Sequence, residues 1–390
     1  MKNLFRVEEA SRFKSDLDLR VYTSNLLGQS DELVLHGGGN TSVKSKIDGE
    51  DILFVKGSGW DLVSIKKEGF SPVRLEPLVL LAKKERLSDS LMVSSQREAM
   101  IDKSAPNPSV EAILHALIPY KYVDHTHADA IVTISNSKDG KVFIKKIFPK
   151  FLIVPYVMPG FLLAKKIYEM TQDFDWSACD GIILHNHGIF TFDNDAKNSY
   201  DKMIKAVSKA EDYLDEFAFV AAEPLHVEQD FDTEKLQDII SLEKKHDVYM
   251  CINQSDLAKF YASKENLNSF ATRGVLTPEH IIRTKRVPLV LEDDDILKAI
   301  ENFKADYIKY FEKYKKDEIC LNPAPNYAVI KNFGVVTFGK DEKEANIIND
   351  IIRHTILAVL RADKLGGYQS ISEKDSFDME YWELEQVKLK

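Results

Sequence analysis

Tyr120 to Ile134 reads YKYVDHTHADAIVTI, and the reading of this stretch decides the fold. Taken as extended backbone, it turns alternate side chains to opposite faces, so His125 and His127 share a side with their imidazoles close together. That register suits a two-point grip on a metal ion; a half-exposed surface pair is the competing reading. Outward from it lie further β-branched runs, ELVLHGGGN and DILFVKGSG before it, FLIVPYV and GIILHNHGIFTF after it. Helical LEPLVLLAKKERL and SVEAILHALI interrupt the earlier runs. A long amphipathic stretch from Asp195 to Val220 follows the later ones, with Met203, Val207, Ala210 and Leu214 on one face. Strand runs alternating with helical periodicity make the fold class α/β.

Composition bounds the function. The 390 residues are 44% hydrophobic and 29% charged, which is the make-up of a globular chain long enough for more than one core. A formal charge of −10 repels nucleic acid and anionic membranes on average, so neither is an expected partner. No signal-peptide-like segment and no run of about 18 apolar residues occurs, and the expected location is cytoplasmic. Three widely spaced cysteines, Cys179, Cys251 and Cys320, fit a reducing compartment and are read as core residues.

After the long helical stretch the character changes. Ala221 to Thr233 contains a proline and four acidic residues, placing a domain edge there and giving two domains, 1–224 and 225–390. The second carries helical EKLQDIISLEKK and the charged helix DDDILKAIENFKADYIKYFEKYKK, whose charges are read as a solvated face. Arg273, His280, Arg283 and Lys285 are likewise read as a basic edge or solvated surface. Cys179 to Val207 can be laid on Pro325 to Thr355, pairing Gly188 with Gly334 and Thr191-Phe192 with Thr337-Phe338. Duplication and the chance likeness of strand-turn-strand-helix units both stay open. In either case His187 faces Phe333 across the pairing, a polar group lost from the second copy.

A third metal ligand has two sources in LHNHG, His185 and His187, beside a glycine turn. Three imidazoles with an open position describe a catalytic zinc site better than a structural one. His36, His115, His226, His246, His280 and His354 lack such company and are read as ordinary residues. Two glycine turns, HGGGNTSVK (His36 to Lys44) and VKGSGWDL (Val55 to Leu62), offer backbone N–H groups, hydroxyls and lysines suited to an anion. Neither matches a nucleotide-binding fingerprint. In NPSVEAILHA, Pro108 and Ser109 look like a helix start, with Glu111 in the first turn.

Taken in order, GGGNTSV, KGSG, PSVE, HTHAD and NHG resemble the class II aldolase/adducin family, over roughly Asp16 to Ala221. The resemblance implies a three-layer α/β/α domain around a central, mostly antiparallel sheet, with a C-terminal α/β extension. It implies that His125, His127 and His187 hold Zn2+ or another divalent metal, and that Glu111 is the catalytic acid/base, which can also occupy the resting metal. Gly39, Asn40, Ser58, Gly59 and Ser109 would surround the substrate phosphate. Val110 stands where the family often has a second serine. No tyrosine lies between Ala130 and Val154, where such aldolases carry a proton donor to a neighbouring subunit.

TPEHIIRTKRVPL, NFGVVTFGKDEKEA and FDMEYWELEQVKLK in turn resemble the region joining aldolase to dehydrogenase in bifunctional rhamnulose-phosphate aldolase/lactaldehyde dehydrogenases. No glycine-rich nucleotide loop is found, so the aldolase part alone is expected. The implied reaction is retro-aldol cleavage of an L-rhamnulose 1-phosphate-like ketose 1-phosphate to dihydroxyacetone phosphate and an aldehyde such as lactaldehyde. The resemblance also implies a homo-oligomer, such as a tetramer. A pentulose-phosphate 4-epimerase, a dehydratase and a non-catalytic adducin-like scaffold are the rival readings.

Overall fold

The computed structural model describes residues 1–221 and 230–386. Two compact units emerge, one formed by 1–135 with 140–214, the other by 136–139 with 215–390. The expected boundary at 224/225, most of the expected linker and His226 lie outside the described residues, as do the last four residues.

Seven strands build the sheet of the first unit: β1 (Asn40–Ile47), β2 (Glu50–Lys56), β3 (Phe70–Arg74), β4 (Tyr122–Thr126), β5 (Phe151–Val154), β6 (Gly181–Leu184) and β7 (Gly188–Asp193). Their order is β3-β2-β1-β4-β7-β6-β5, and every neighbouring pair is antiparallel except β5–β6. The two-residue period sorts the central strands into two faces. Thr41 meets Ser24 of the helix Asp16–Gly28 at 2.8 Å, and Asp124 bonds Arg20 of the same helix and Ser199 of the helix Ala196–Phe217. Asn40, Ser42 and Lys44 face the other way, toward the helix Ala112–Leu117. That helix packs on Leu75–Ala82 and Phe161–Met170, which completes a three-layer α/β/α arrangement. Lys44 Nζ donates to the carbonyls of His115 at 3.0 Å and Tyr120 at 2.8 Å, and to that of Ile118, satisfying backbone groups that a helix end leaves without partners.

Several local expectations are corrected. ELVLHGGGN is a loop rather than a strand: His36, Gly37 and Gly39 have φ of 43°, 83° and 64°, which breaks extended pairing until β1 begins at Asn40. The run after His127 is the helix Asp129–Ser135, buried from Ala130 onward, and an element buried all round shows no diagnostic period. Pro108 bridges Gly57, so the next helix starts only at Ala112 and Glu111 is its N-cap rather than a first-turn residue. In the second unit His280 and Lys285 are buried, with Lys285 Nζ bonded to the Asn322 carbonyl at 2.7 Å and seated 3.8 Å from the Tyr307 ring centroid, so neither lies on a solvated edge. Of the cysteines, Cys179 is buried while Cys251 and Cys320 are half-buried.

The second unit has four strands, β8 (Tyr249–Asn253), β9 (Leu289–Leu291), β10 (Tyr327–Ile330) and β11 (Gly334–Gly339), in the order β8-β11-β10-β9. This copies the half-sheet β4-β7-β6-β5 in order and direction, with two antiparallel pairs and then one parallel pair. Details repeat as well. The hairpin turns hold Asn186 and Asn332 at φ 61° and 56°, and Thr191 and Thr337 donate to the carbonyls of Ser199 and Ala345 at 3.0 and 2.8 Å. A Cβ on Gly188 or on Gly334 would lie 2.4 Å from a carbonyl of the adjacent strand, Thr126 in one case and Asn253 in the other. Agreement at this level decides for duplication. By register, Ile252 stands where His125 is, and Phe333 where His187 is. Among the described residues no helix is long and apolar enough to cross a membrane.

Candidate metal centre

The strand pairing itself assembles the site. β4 places His125 opposite Asn40 of β1 and Phe190 of β7. His127 lies just past the end of β4, and His187 sits in the β6–β7 turn immediately before Gly188. Small residues are required here: a Cβ on Gly188 would stand 3.1 Å from His125 and 3.2 Å from His127, and one on Gly38 would stand 3.3 Å from His127 Nδ1. The rings of His125, His127 and His187 lie 4.8 to 5.2 Å apart between centroids, and one ligand nitrogen from each falls within 4.8 Å of the others. Among the described residues this is the group of histidines, cysteines or carboxylates arranged to hold a metal. His185, the other candidate for the third ligand, is not in it.

The donor chemistry fits a divalent cation. His125 Nδ1 lies 3.0 Å from the Ile189 carbonyl, which can only accept, so Nδ1 carries the proton and Nε2 keeps a lone pair toward the centre. His127 Nε2 is 3.0 Å from that atom. Zinc–nitrogen bonds of about 2.1 Å set neighbouring ligand nitrogens roughly 3.4 Å apart in a tetrahedral shell, so the rings need only small rotations to grip one ion.

Glu111 borders the triad, with Oε2 3.4 Å from His125 Nε2 and Oε1 3.9 Å from His187 Nε2. Asn40 Nδ2 donates to Oε2 at 2.6 Å, so this asparagine, expected near a phosphate, here holds the carboxylate. The other expected phosphate residues form an adjoining group. The Ser58 N–H donates to Asn107 O at 2.9 Å and the Ser109 N–H to Lys56 O at 3.1 Å, which sets the two loops side by side. The Ser109 hydroxyl accepts from the Glu111 N–H at 3.2 Å and ties this group to Glu111. Ser58 and Gly59 are exposed, and a Cβ at Gly59 would meet nothing within 4 Å. Gly39 is instead packed behind β4, where a Cβ would lie 2.6 Å from the His125 carbonyl.

Sequence reading missed His115 and the Arg20–Asp124 pair. His115 is fully buried and bonds both Asn40 and Ser42. Its spacing of four from Glu111 on a helical segment was the available signal. Burial holds its imidazole well below the ordinary range, and burial assisted by the Lys141 charge brings His185 down to about 4. Both rings therefore stay neutral in the fold at pH values where the unfolded chain takes up protons. Stability is intact above about pH 6.5 and falls below it, by about 1.4 kcal/mol per pH unit for His115. Urea midpoints at pH 7.5 and 5.5 should show the drop, and His115→Gln should reduce it; equal midpoints for the wild type would refute it.

Comparisons with known proteins place the chain in a family. A protein of Bacillus subtilis (strain 168) named uncharacterized oxidoreductase YuxG is 31% identical over 420 residues, covering 100% of this chain and 60% of its own length. This chain thus spans about 60% of that relative. The N-terminal class II aldolase domain of a conserved protein from Thermoplasma acidophilum is 40% identical with a TM-score of 0.51, over 55% of this chain and 99% of that one. Residues 20–214 match the Class II Aldolase and Adducin N-terminal domain and residues 231–389 the Aldolase class II, second domain, so the chain belongs to the class II aldolase/adducin family.

Proposed function

We propose that this chain is a divalent-metal-dependent aldehyde-lyase that cleaves a ketose 1-phosphate of the L-rhamnulose 1-phosphate kind to dihydroxyacetone phosphate and an aldehyde such as lactaldehyde. The observation that carries the reading is the convergence of three imidazoles beside a buried carboxylate with one unbonded oxygen. A cation held by His125, His127 and His187, zinc by its donor set, would supply Lewis acidity to the carbonyl that accepts electrons when C3–C4 breaks. As C3–C4 breaks, the C4 hydroxyl proton passes to a base outside this group of residues. Glu111, in its protonated form, would give a proton from Oε1 to the carbon left electron-rich by cleavage, and its carboxylate would take that proton back in the reverse direction. Ser58, Gly59 and Ser109, on an exposed loop pair joined to Glu111, would receive the substrate phosphate. Family membership supports the aldolase-type class; the activity itself, the sugar, the metal and an oligomeric assembly belong to the proposal.

The test is release of dihydroxyacetone phosphate from L-rhamnulose 1-phosphate and L-fuculose 1-phosphate by zinc-loaded and chelator-stripped protein. Release from either sugar that disappears on stripping and returns with zinc supports the reading. Absence of release from both, with zinc bound stoichiometrically, overturns it, and interconversion of pentulose phosphates without fragment release would then identify an epimerase.

A further inference from the structure

We propose that His115 is a positioning residue of this site: acting through Asn40, it selects which Glu111 oxygen is held and which is left to move the proton. The inference rests on the reading above and extends it to a residue outside both the metal triad and the phosphate loops.

Donor and acceptor types fix every link of the chain. A carboxylate only accepts, so the group that Asn40 presents to Glu111 Oε2 at 2.6 Å is its NH2, leaving Oδ1 to face His115. An amide oxygen also only accepts, so the His115 nitrogen against it, Nε2 at 2.5 Å, carries the proton. Nδ1 is then an acceptor, and the Ser42 hydroxyl 2.8 Å away donates to it. Each hydrogen bond points toward Glu111 and ends on its charge, an arrangement in which successive bonds polarise one another. The consequence lies at the far end. Oε2 accepts from Asn40, while Oε1 makes no hydrogen bond and faces His187 at 3.9 Å.

Packing gives His115 a second hold on the centre. Its ring meets Phe190 edge-on at 5.4 Å, and Phe190 stacks on the His125 ring at 4.0 Å and 12°. The imidazole is completely buried, and Asn40 and Ser42 come from β1 on the same face, so the three side chains are locked by strand period and helix register together. A leucine in place of His115 would fill the space but leave Asn40 free to turn its amide, placing an oxygen against the Glu111 carboxylate. Glutamine sets a terminal NH2 near the place of Nε2 and keeps the donor.

Zinc-loaded His115→Leu and His115→Gln are compared for kcat, KM, metal content and melting temperature. The leucine variant should lose about 10–100-fold in kcat, with KM and metal content little changed, and glutamine should restore most of the loss. A filler of space alone would not distinguish the two; equal losses in both variants, or no loss in the leucine variant, would overturn the proposal. Histidine-selective 15N NMR on the wild-type full chain at neutral pH gives a readout that needs no turnover and no stable variant. His115 should be the Nε2–H tautomer, and an Nδ1–H tautomer would sink the proposal. Should the wild type cleave neither sugar while this tautomer is present, the substrate reading fails and the orientation of Glu111 stands.

Discussion

Replacing His127 with alanine is expected to abolish stoichiometric zinc binding and to lower ketose 1-phosphate cleavage by about a thousandfold or more, since Lewis-acid assistance contributes several kcal/mol to such a transition state. The choice among the three ligands is deliberate. His125 is fully buried between Phe190 and the Ile189 carbonyl, and His187 is nearly so in the hairpin turn, so truncating either disturbs packing as well as ligation. His127 is half-buried and lies beyond the last residue of β4, where its loss leaves the sheet register untouched. The variant should therefore keep the wild-type melting temperature of the metal-free protein. His185→Ala is the matched control: it removes a histidine two residues from a ligand but outside the triad, and should retain one equivalent of metal. Metal content after dialysis, measured beside kcat/KM, separates the outcomes. If His127→Ala keeps its metal, the three-histidine centre is wrong. If both variants lose it, the hairpin as a whole is needed and the ligand assignment loses its support.

The fold class was legible because strand and helix periods alternate through the first unit, and the triad because HxH and NHG survive as local words around sheet positions. The parts that were not legible share a physical cause. His115 looked ordinary because nothing in one dimension shows that β1 lies beside β4 and turns Asn40 and Ser42 toward the helix that carries it. Asn40 was placed near the phosphate by the family resemblance; that strand parity also turns its side chain onto Glu111 is something no one-dimensional pattern shows. The helix after His127 was hidden because every one of its residues from Ala130 is buried, leaving no polar face to set a period.

Duplication explains why the second unit could be read only halfway. A repeat built from strand β8 and the β10–β11 hairpin keeps the groups that hold the backbone, such as Asn332 in its left-handed turn and Thr337 bonded to Ala345. It does not keep those that would hold a metal, since Ile252 and Phe333 replace two of the ligands. Groups that hold the backbone and groups that would hold a metal thus occupy separable positions of the same motif. That separation is why the pairing of Gly188 with Gly334 is informative about fold and silent about activity.

The same separation makes the buried ion pair beneath the centre a demanding test. Arg20 and Asp124 are both completely buried; Arg20 Nη2 meets Asp124 Oδ1 at 2.5 Å and Thr23 Oγ1 at 2.6 Å, Nε donates to Ser24 Oγ at 3.2 Å, and Nη1 reaches the carbonyls of Ser42 and Val123 at 3.4 Å. Ser199 donates to the other Asp124 oxygen at 2.5 Å. Arg20→Leu should cost about 3–5 kcal/mol, because it leaves the Asp124 carboxylate in the core with a single hydroxyl partner rather than because the pair is itself strongly stabilising. A double variant, Arg20→Leu with Asp124→Leu, removes the orphaned charge and should recover part of that loss, with Ser199 and the two β-strand carbonyls setting the residue that remains. The sign of the coupling decides the matter: a double variant no more stable than the single one would mean that the network of neutral partners, not the charge, carries the cost. Asp124 immediately precedes His125 on β4 and points to the opposite face, so folded Arg20→Leu protein should also bind zinc more weakly, by about 10–100-fold, as expected when support behind a ligand is loosened. Unchanged zinc affinity would confine the pair to stability and leave the orientation of His125 to Phe190 and Ile189.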